Sequence, residues 1–264
     1  MPLSPSRLRK YRLVALFLLP VSLWVVWFYF AHRPIHRLAG PRLVYWAWER
    51  PEDLRLLNPK TEGVAFLTSS VELLTDTVRI FPRMQPLYVL PDTQLIAVVR
   101  VYAHAEQPPA FNEAQFSQTL EDLLDATRKP AVVALQIDYD ARVSERAFYS
   151  RLLTEVRHRL GPAYPISITA LASWCIEDRW IQTLPVDEAV PMIFSMGSDE
   201  ALIRQYLSSV GTFPEPLCRG SLGISTGEWW PSPIPSPTRV YIFNQHAWTP
   251  EAVKSIRSRL HRGM

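Results

Sequence analysis

At residues 136–140 an apolar run gives way to Gln-Ile-Asp-Tyr-Asp. Period-two geometry in an extended chain puts Gln136, Asp138 and Asp140 on one face. Carboxylates at i and i+2 stand ~7 Å apart, close enough to repel and to raise one pKa where water is excluded. Such a pair suits general acid/base work, or the orientation of a substrate's polar groups. The plainer alternative is that Asp140 caps the next turn and Asp138 pairs with an arginine such as Arg100. A bare D-x-D is a weak motif, and its place after a buried strand is what gives it weight.

Other apolar runs end in a similar mixture. Trp46, Trp48 and Glu49 follow the first, Arg100, Tyr102 and His104 lie along the third, and Ser173 and Trp174 follow the fifth. Glu228, Trp229 and Trp230 follow the seventh, and Gln245, His246 and Trp248 the eighth. Flat apolar rings with a polar edge suit stacking on sugars, although core packing explains any one of them equally well. No H-x-H, H-E-x-x-H or C-x-x-C spacing marks a metal site. G-x-S-x-G, the P-loop and G-x-G-x-x-G are also missing, so no cofactor is implied.

The elements that must position these groups read as eight strands: 43–48, 64–68, 94–103, 131–138, 166–172, 189–196, 221–226 and 239–245. Their continuous apolar character is that of parallel strands buried on both faces. Helical spacing fills several gaps. Asn112 with Gln115 forms a capping box ahead of Phe116, Leu120, Leu123 and Leu124. Ser144 opens a stretch carrying Phe148, Leu152, Val156 and Leu160. Ser198 precedes Asp199 and Glu200, with Leu202, Tyr206 and Val210 as the expected stripe. Thr249-Pro250-Glu251 opens the last helix, whose stripe is Val253, Ile256 and Leu260. The expected fold is an α/β protein, a (β/α)8 TIM-like barrel over residues 43–264. It is partly irregular, because 69–93 holds strand-like pieces and PSPIPSP at 231–237 cannot be helical. An open α/β sheet is the alternative.

Residues 13–31 are nineteen without a charge, long enough to span a bilayer. One N-terminal transmembrane helix is therefore expected, with lipid bilayer as its partner, residues 1–12 as a basic cytoplasmic tail and 32–42 as a linker. Arg7, Arg9, Lys10 and Arg12 keep the N-terminus inside. A cleaved signal peptide is the rival, but its apolar core is usually shorter and Tyr29 sits poorly for cleavage. Either way the barrel ends up outside the cytoplasm, in a bacterial periplasm. From residue 13 onward 24 basic residues face 25 acidic ones. That leaves no surplus for a phosphate-binding face, and nucleic acid is set aside as a partner. Cys175 follows one strand and Cys218 precedes another, positions at opposite ends of a barrel, so free thiols are expected.

The runs LQIDYDA (135–141), ISITALASWC (166–175) and VDEAVPMIFSMG (186–197) together resemble a bacterial family known as a domain of unknown function. More distantly, the layout is similar to family-18 glycoside hydrolases, chitinase-like barrels whose fourth strand ends in D-x-x-D-x-D-x-E. Asp138 and Asp140 match the last two aspartates, Leu135 stands at the first, and Arg142 stands where the catalytic glutamate would be. Met192-Ile193-Phe194 is similar to that family's M-x-Y without the hydroxyl, and Trp248 corresponds to its sugar-stacking tryptophan. The resemblance implies carbohydrate as the ligand.

Glycoside cleavage needs an acid at the leaving oxygen, and an arginine cannot donate at neutral pH. Glu49, Glu228, Glu177 and Asp178 are the candidates to replace it. The expected protein is a membrane-anchored periplasmic barrel acting on an envelope or extracellular glycan. Asp138 and Asp140 sit at its centre, with Gln136, Trp46, Trp48, Arg100, Tyr102, Trp174, Met192, Trp229, Gln245 and Trp248 around the substrate. The alternative is a noncatalytic glycan-binding or polysaccharide-assembly protein that lacks the acid.

Overall fold

Continuous apolar runs can bury both faces only if something covers each side, and closing the sheet on itself solves this. The computed structural model describes residues 40–228, 231, 234 and 238–263, with side chains to residue 260. Eight parallel strands close a barrel. They are β1 (Leu43–Ala47), β2 (Glu62–Leu73), β3 (Leu95–Ala103), β4 (Val132–Asp138), β5 (Ile166–Leu171), β6 (Glu188–Met192), β7 (Ser221–Ser225) and β8 (Arg239–Phe243). Each pairs with the next, and β1 pairs with both β2 and β8, which completes the ring.

Two apolar layers result. Val44, Trp46, Ala65, Leu67, Ile96, Val98, Ala134, Val190 and Tyr241 share one parity and fill the barrel. The alternate residues, such as Tyr45, Val64, Leu135, Ile137 and Ile168, join the larger core between the strands and the outer elements. Each such side chain contributes about 1.5–3 kcal/mol by leaving water.

Among the described residues four long helices lie outside: α1 (Glu113–Thr127), α2 (Arg146–Leu160), α3 (Glu200–Val210) and α4 (Pro250–Gly263). The capping box at Asn112 forms as the sequence implies. Its side chain accepts the Gln115 N–H at 2.9 Å, and the Gln115 side chain accepts the Asn112 N–H at 3.1 Å. Asn112 Nδ2 also donates to the Asp76 carbonyl at 2.9 Å, tying the helix start to a neighbouring turn. Asn112→Ala should therefore cost about 1–2 kcal/mol in a urea melt. A change below the error of the measurement would mean that the box is idle.

One helix stripe was misplaced. Leu202 and Val210 are exposed, and Ile203 and Leu207 are the residues that α3 buries. Both pairs fit helical spacing, so periodicity alone could not choose between the faces. The stripe of α4 is as expected, with Val253, Ile256 and Leu260 all buried.

The irregularities lie where no helix could form. β2 runs on to Leu73, and residues Val78–Pro82 return antiparallel along it. Residues Leu87–Tyr88 then pair with Glu52–Asp53 in a small second sheet. Between β5 and β6 short turns replace a helix, a π-helical turn at 174–178 and a 3-10 turn at 180–183. These turns overturn the expectation of free thiols, because Cys175 is disulfide-bonded to Cys218, with Cα atoms 6.0 Å apart. The chain after β5 does not stay at the strand end. It meets the turn before β7 in the outer core, where the Cys175 carbonyl accepts the Glu215 N–H at 3.3 Å.

At the end of the barrel where the strands begin, Glu62 is buried against the Arg257 guanidinium of α4 and accepts from Tyr45 Oη at 3.1 Å and from the Asn58 N–H at 2.7 Å. Burial pushes this carboxyl up, but the Arg257 and Asn58 hydrogen bonds more than offset it, and its pKa lies below the ordinary value. Among the described residues no helix is long and apolar enough to cross a membrane. The span expected at 13–31 lies outside the described residues, as do the 1–12 tail and most of the 32–42 linker.

Candidate functional site

The C-terminal ends of the strands converge on a cavity of about 400 Å³. Barrel enzymes place reactive groups at this end, because side chains from several strands meet there on a rigid frame. β4 delivers Asp138 and Asp140, and both line the cavity. Arg100 of β3 stands beside Asp138 in the sheet register. Thr169 of β5 donates its hydroxyl to Asp138 Oδ1 at 2.7 Å.

Burial, and then the neighbouring Asp140 charge, push the Asp138 carboxyl up to about 6, against the opposing pull of Thr169 and Arg100. Asp140 reaches solvent at the rim, yet desolvation in the mouth also raises its pKa, opposed by Arg100. Arg100 forms no ion pair with either carboxylate, and its guanidinium lies 5.3 Å from the Trp48 ring centroid and 5.5 Å from that of Tyr102.

One wall is aromatic. Trp46 and Trp48 stack at 5.8 Å with 11° between planes, and Phe194 and Phe243 at 5.4 Å with 16°. Below them a polar line runs through the barrel. Trp46 Nε1 donates to Gln136 Oε1 at 3.0 Å, Gln136 Nε2 to Ser167 Oγ at 3.1 Å, and Ser167 Oγ to Glu188 Oε1 at 3.0 Å. Tyr241 Oη also donates to Glu188, whose carboxyl is raised by burial. Gln136 thus holds the Trp46 indole from underneath and does not line the open mouth.

Asp138, Asp140, Trp46, Trp48, Arg100 and Met192 are brought together around this cavity. Several other expected residues are not. Trp174 packs edge-on to Trp180 in the outer core. Trp248 is buried against Tyr45, its indole N–H donating to the Trp46 carbonyl at 2.8 Å. Neither ring is open to a sugar, because the chain has already turned outward at both positions. Tyr102 packs against His104, and the Gln245 carbonyl accepts from Arg50 at 2.6 Å, both away from the mouth. Trp229 lies outside the described residues.

Among the expected acids, Glu49 and Glu177 do not line the cavity, and Asp178 is held by Arg146. Glu228 stands at the rim but accepts from the Ser195 N–H at 2.9 Å and the Ser195 hydroxyl at 3.3 Å. It thereby holds Ser195 in the left-handed region, at φ 52°, a strained conformation for a residue with a Cβ. Arg142 turns away from the mouth. Its guanidinium pairs with Glu145 at 3.3 Å and donates to the Ala103 carbonyl at 3.3 Å.

Sequence reasoning missed Thr169, Phe194, Ser195, Asp199 and Phe243. Strand parity was the available signal for two of these, since Phe194 and Phe243 lie two residues beyond the inward-facing Met192 and Tyr241.

Residues 92–199 match the family described as a domain of unknown function, DUF3142. The match runs from just before β3 to the residue before α3 and includes all three aspartates of the mouth, Asp138, Asp140 and Asp199. No curated protein is matched by sequence. A Streptomyces coelicolor protein assigned as chitinase A is 10% identical with a TM-score of 0.53, covering 84% of this chain and 96% of its own. A fungal endo-β-N-acetylglucosaminidase of glycosyl hydrolase family 18 is 16% identical with a TM-score of 0.46, covering 84% and 87%. At 10% identity the likeness to the Streptomyces structure is one of fold, and it agrees with the closed eight-stranded barrel.

Proposed function

We propose that the barrel is a glycoside-hydrolase-like protein of the bacterial periplasm, anchored by residues 13–31, that binds and cleaves an envelope or extracellular glycan in the mouth. The observation that carries the reading is the Asp138–Asp140 pair at the C-terminal end of β4, facing the stacked rings of Trp46 and Trp48. Rings of this kind take the apolar face of a pyranose, and paired carboxylates serve its reacting bond. The uncharged span at 13–31 and the Cys175–Cys218 bond, which suits an oxidising compartment, support the location.

Within the cavity Asp138 is the acid suited to hold a proton near neutrality, since its pKa is pushed up to about 6. Asp138 would give its proton to the leaving oxygen as the C1–O bond breaks, Asp140 would stabilise the positive charge on the sugar ring, and a water adding at C1 would return its proton to Asp138. Glu228 is less suited to the acid's role, because both its oxygens are engaged by Ser195. One observation favours the noncatalytic alternative. Arg142 occupies the family-18 acid position and is bound to Glu145 and Ala103, so the mouth is left without a carboxylate at that place.

The test is release of new reducing ends by the full chain from chitin, peptidoglycan and extracellular polysaccharides, with Asp140→Asn as control. Release that the control lacks establishes cleavage. Glycan binding without release in any variant assigns the protein to the binding alternative. Neither binding nor release across the panel removes the glycan reading altogether.

A further inference from the structure

We infer that the mouth recognises an amino sugar bearing a free ammonium group, in preference to its N-acetylated or neutral counterpart; this rests on the glycan reading above. Charge discriminates between these sugars. Asp138, Asp140 and Asp199 line the cavity, and among the described residues Arg100 is the sole basic one in its lining. Arg100 offsets part of their charge, but its guanidinium is laid between the rings of Trp48 and Tyr102 and closes no ion pair, so one cation faces three carboxylates and the described lining stays net negative.

Asp138 takes one hydrogen bond, from Thr169 to Oδ1, and Asp140 makes no hydrogen bond or ion pair among the described residues. Carboxylates drawn partly out of water without a partner are costly, and a cation delivered by the ligand would offset that cost. The rest of the lining says what carries the cation. Trp46, Trp48, Phe194 and Phe243 line the same cavity as the carboxylates, an apolar aromatic wall suited to the C–H face of a pyranose more than to a bare ion. An ammonium substituent on a stacked sugar ring would place donors at the carboxylate oxygens, each bond charge-assisted on both sides. An N-acetyl group offers one neutral N–H in the same place, and its carbonyl would face like-signed oxygens.

Calorimetric titration of the full-length protein in detergent, at neutral pH, compares oligomers of glucosamine, N-acetylglucosamine and glucose of equal length. The glucosamine oligomer should bind at least roughly tenfold more tightly than the other two, the difference expected for one charge-assisted bond. That preference should collapse in Asp140→Asn. If this variant fails to fold, the wild-type preference should still shrink as salt is raised, because it is electrostatic. Equal or tighter binding of the N-acetylated oligomer overturns the inference and leaves the glycan reading standing. Spermidine, titrated alongside as a cation without a sugar ring, overturns both if it binds and no sugar does, as does no binding of any probe.

Discussion

Asp138→Asn should lower glycan release, or binding where there is no turnover, by a factor of about 100 or more, while the barrel stays at least as stable as the wild type at neutral pH. The two halves of this expectation have one cause. Asp138 stands in a desolvated mouth beside Asp140, and its pKa is about 6 against an ordinary 3.8. The folded protein therefore holds the proton more tightly than the unfolded chain does. That advantage is present in full below pH ~4 and is lost as the pH rises through about 6. At neutral pH the charged group then costs on the order of 2–3 kcal/mol relative to an unperturbed aspartate. Asparagine keeps the oxygen that accepts from Thr169 and does not titrate, so the variant escapes this cost. Unfolding midpoints in urea between pH ~4 and ~7 should fall with pH in the wild type and run flatter in the variant. A variant that loses stability at neutral pH and keeps its ligand would show that Asp138 serves the fold and not the site.

Much of the frame was legible in the sequence, because burial on both faces leaves a direct mark on composition. Runs such as AVVALQID and ISITALA suit strands buried on both faces, and all eight of them became barrel strands. The Asp138–Asp140 pair was legible for a related reason. Period two continues past the end of an inward-facing run, and Gln136 carries the parity into the barrel.

What failed were inferences about where the chain goes after a strand ends. Trp174 is three residues past β5 and Trp248 five past β8, beyond the reach of strand parity. At both positions the chain had turned outward, so the rings joined the core beneath the outer elements. The hairpin between β2 and β3 had a local signal in TVRIF and LYVL, but its pairing with β2 is a long-range choice that no spacing announces. The Leu202 stripe failed because two faces of α3 carry equally good periodicity, and only the neighbouring packing selects Ile203 and Leu207.

Replacing Cys175 and Cys218 together by serine should destabilise the protein by about 4 kcal/mol, the chain-entropy value for a bond that closes a loop of this size. The cysteines are 43 positions apart, and both side chains are fully buried. For a domain of this length that loss corresponds to a fall of roughly 8–16 °C in Tm, read by calorimetry with and without reductant. The bond matters locally as well as globally. The connection from β5 to β6 lacks a helix to brace it, and its first residues, Leu171 to Ser173, form part of the mouth. The disulfide pins the turn that follows them to the turn before β7, so the reduced protein should become sensitive to protease between residues 172 and 187 before the barrel as a whole unfolds. In the oxidised, denatured protein no thiol should react, and detection of two would show that the bond is not made. If the double variant instead melts with the wild type and resists protease equally, the short turns are held by their own packing and the bond adds nothing to the site's rigidity.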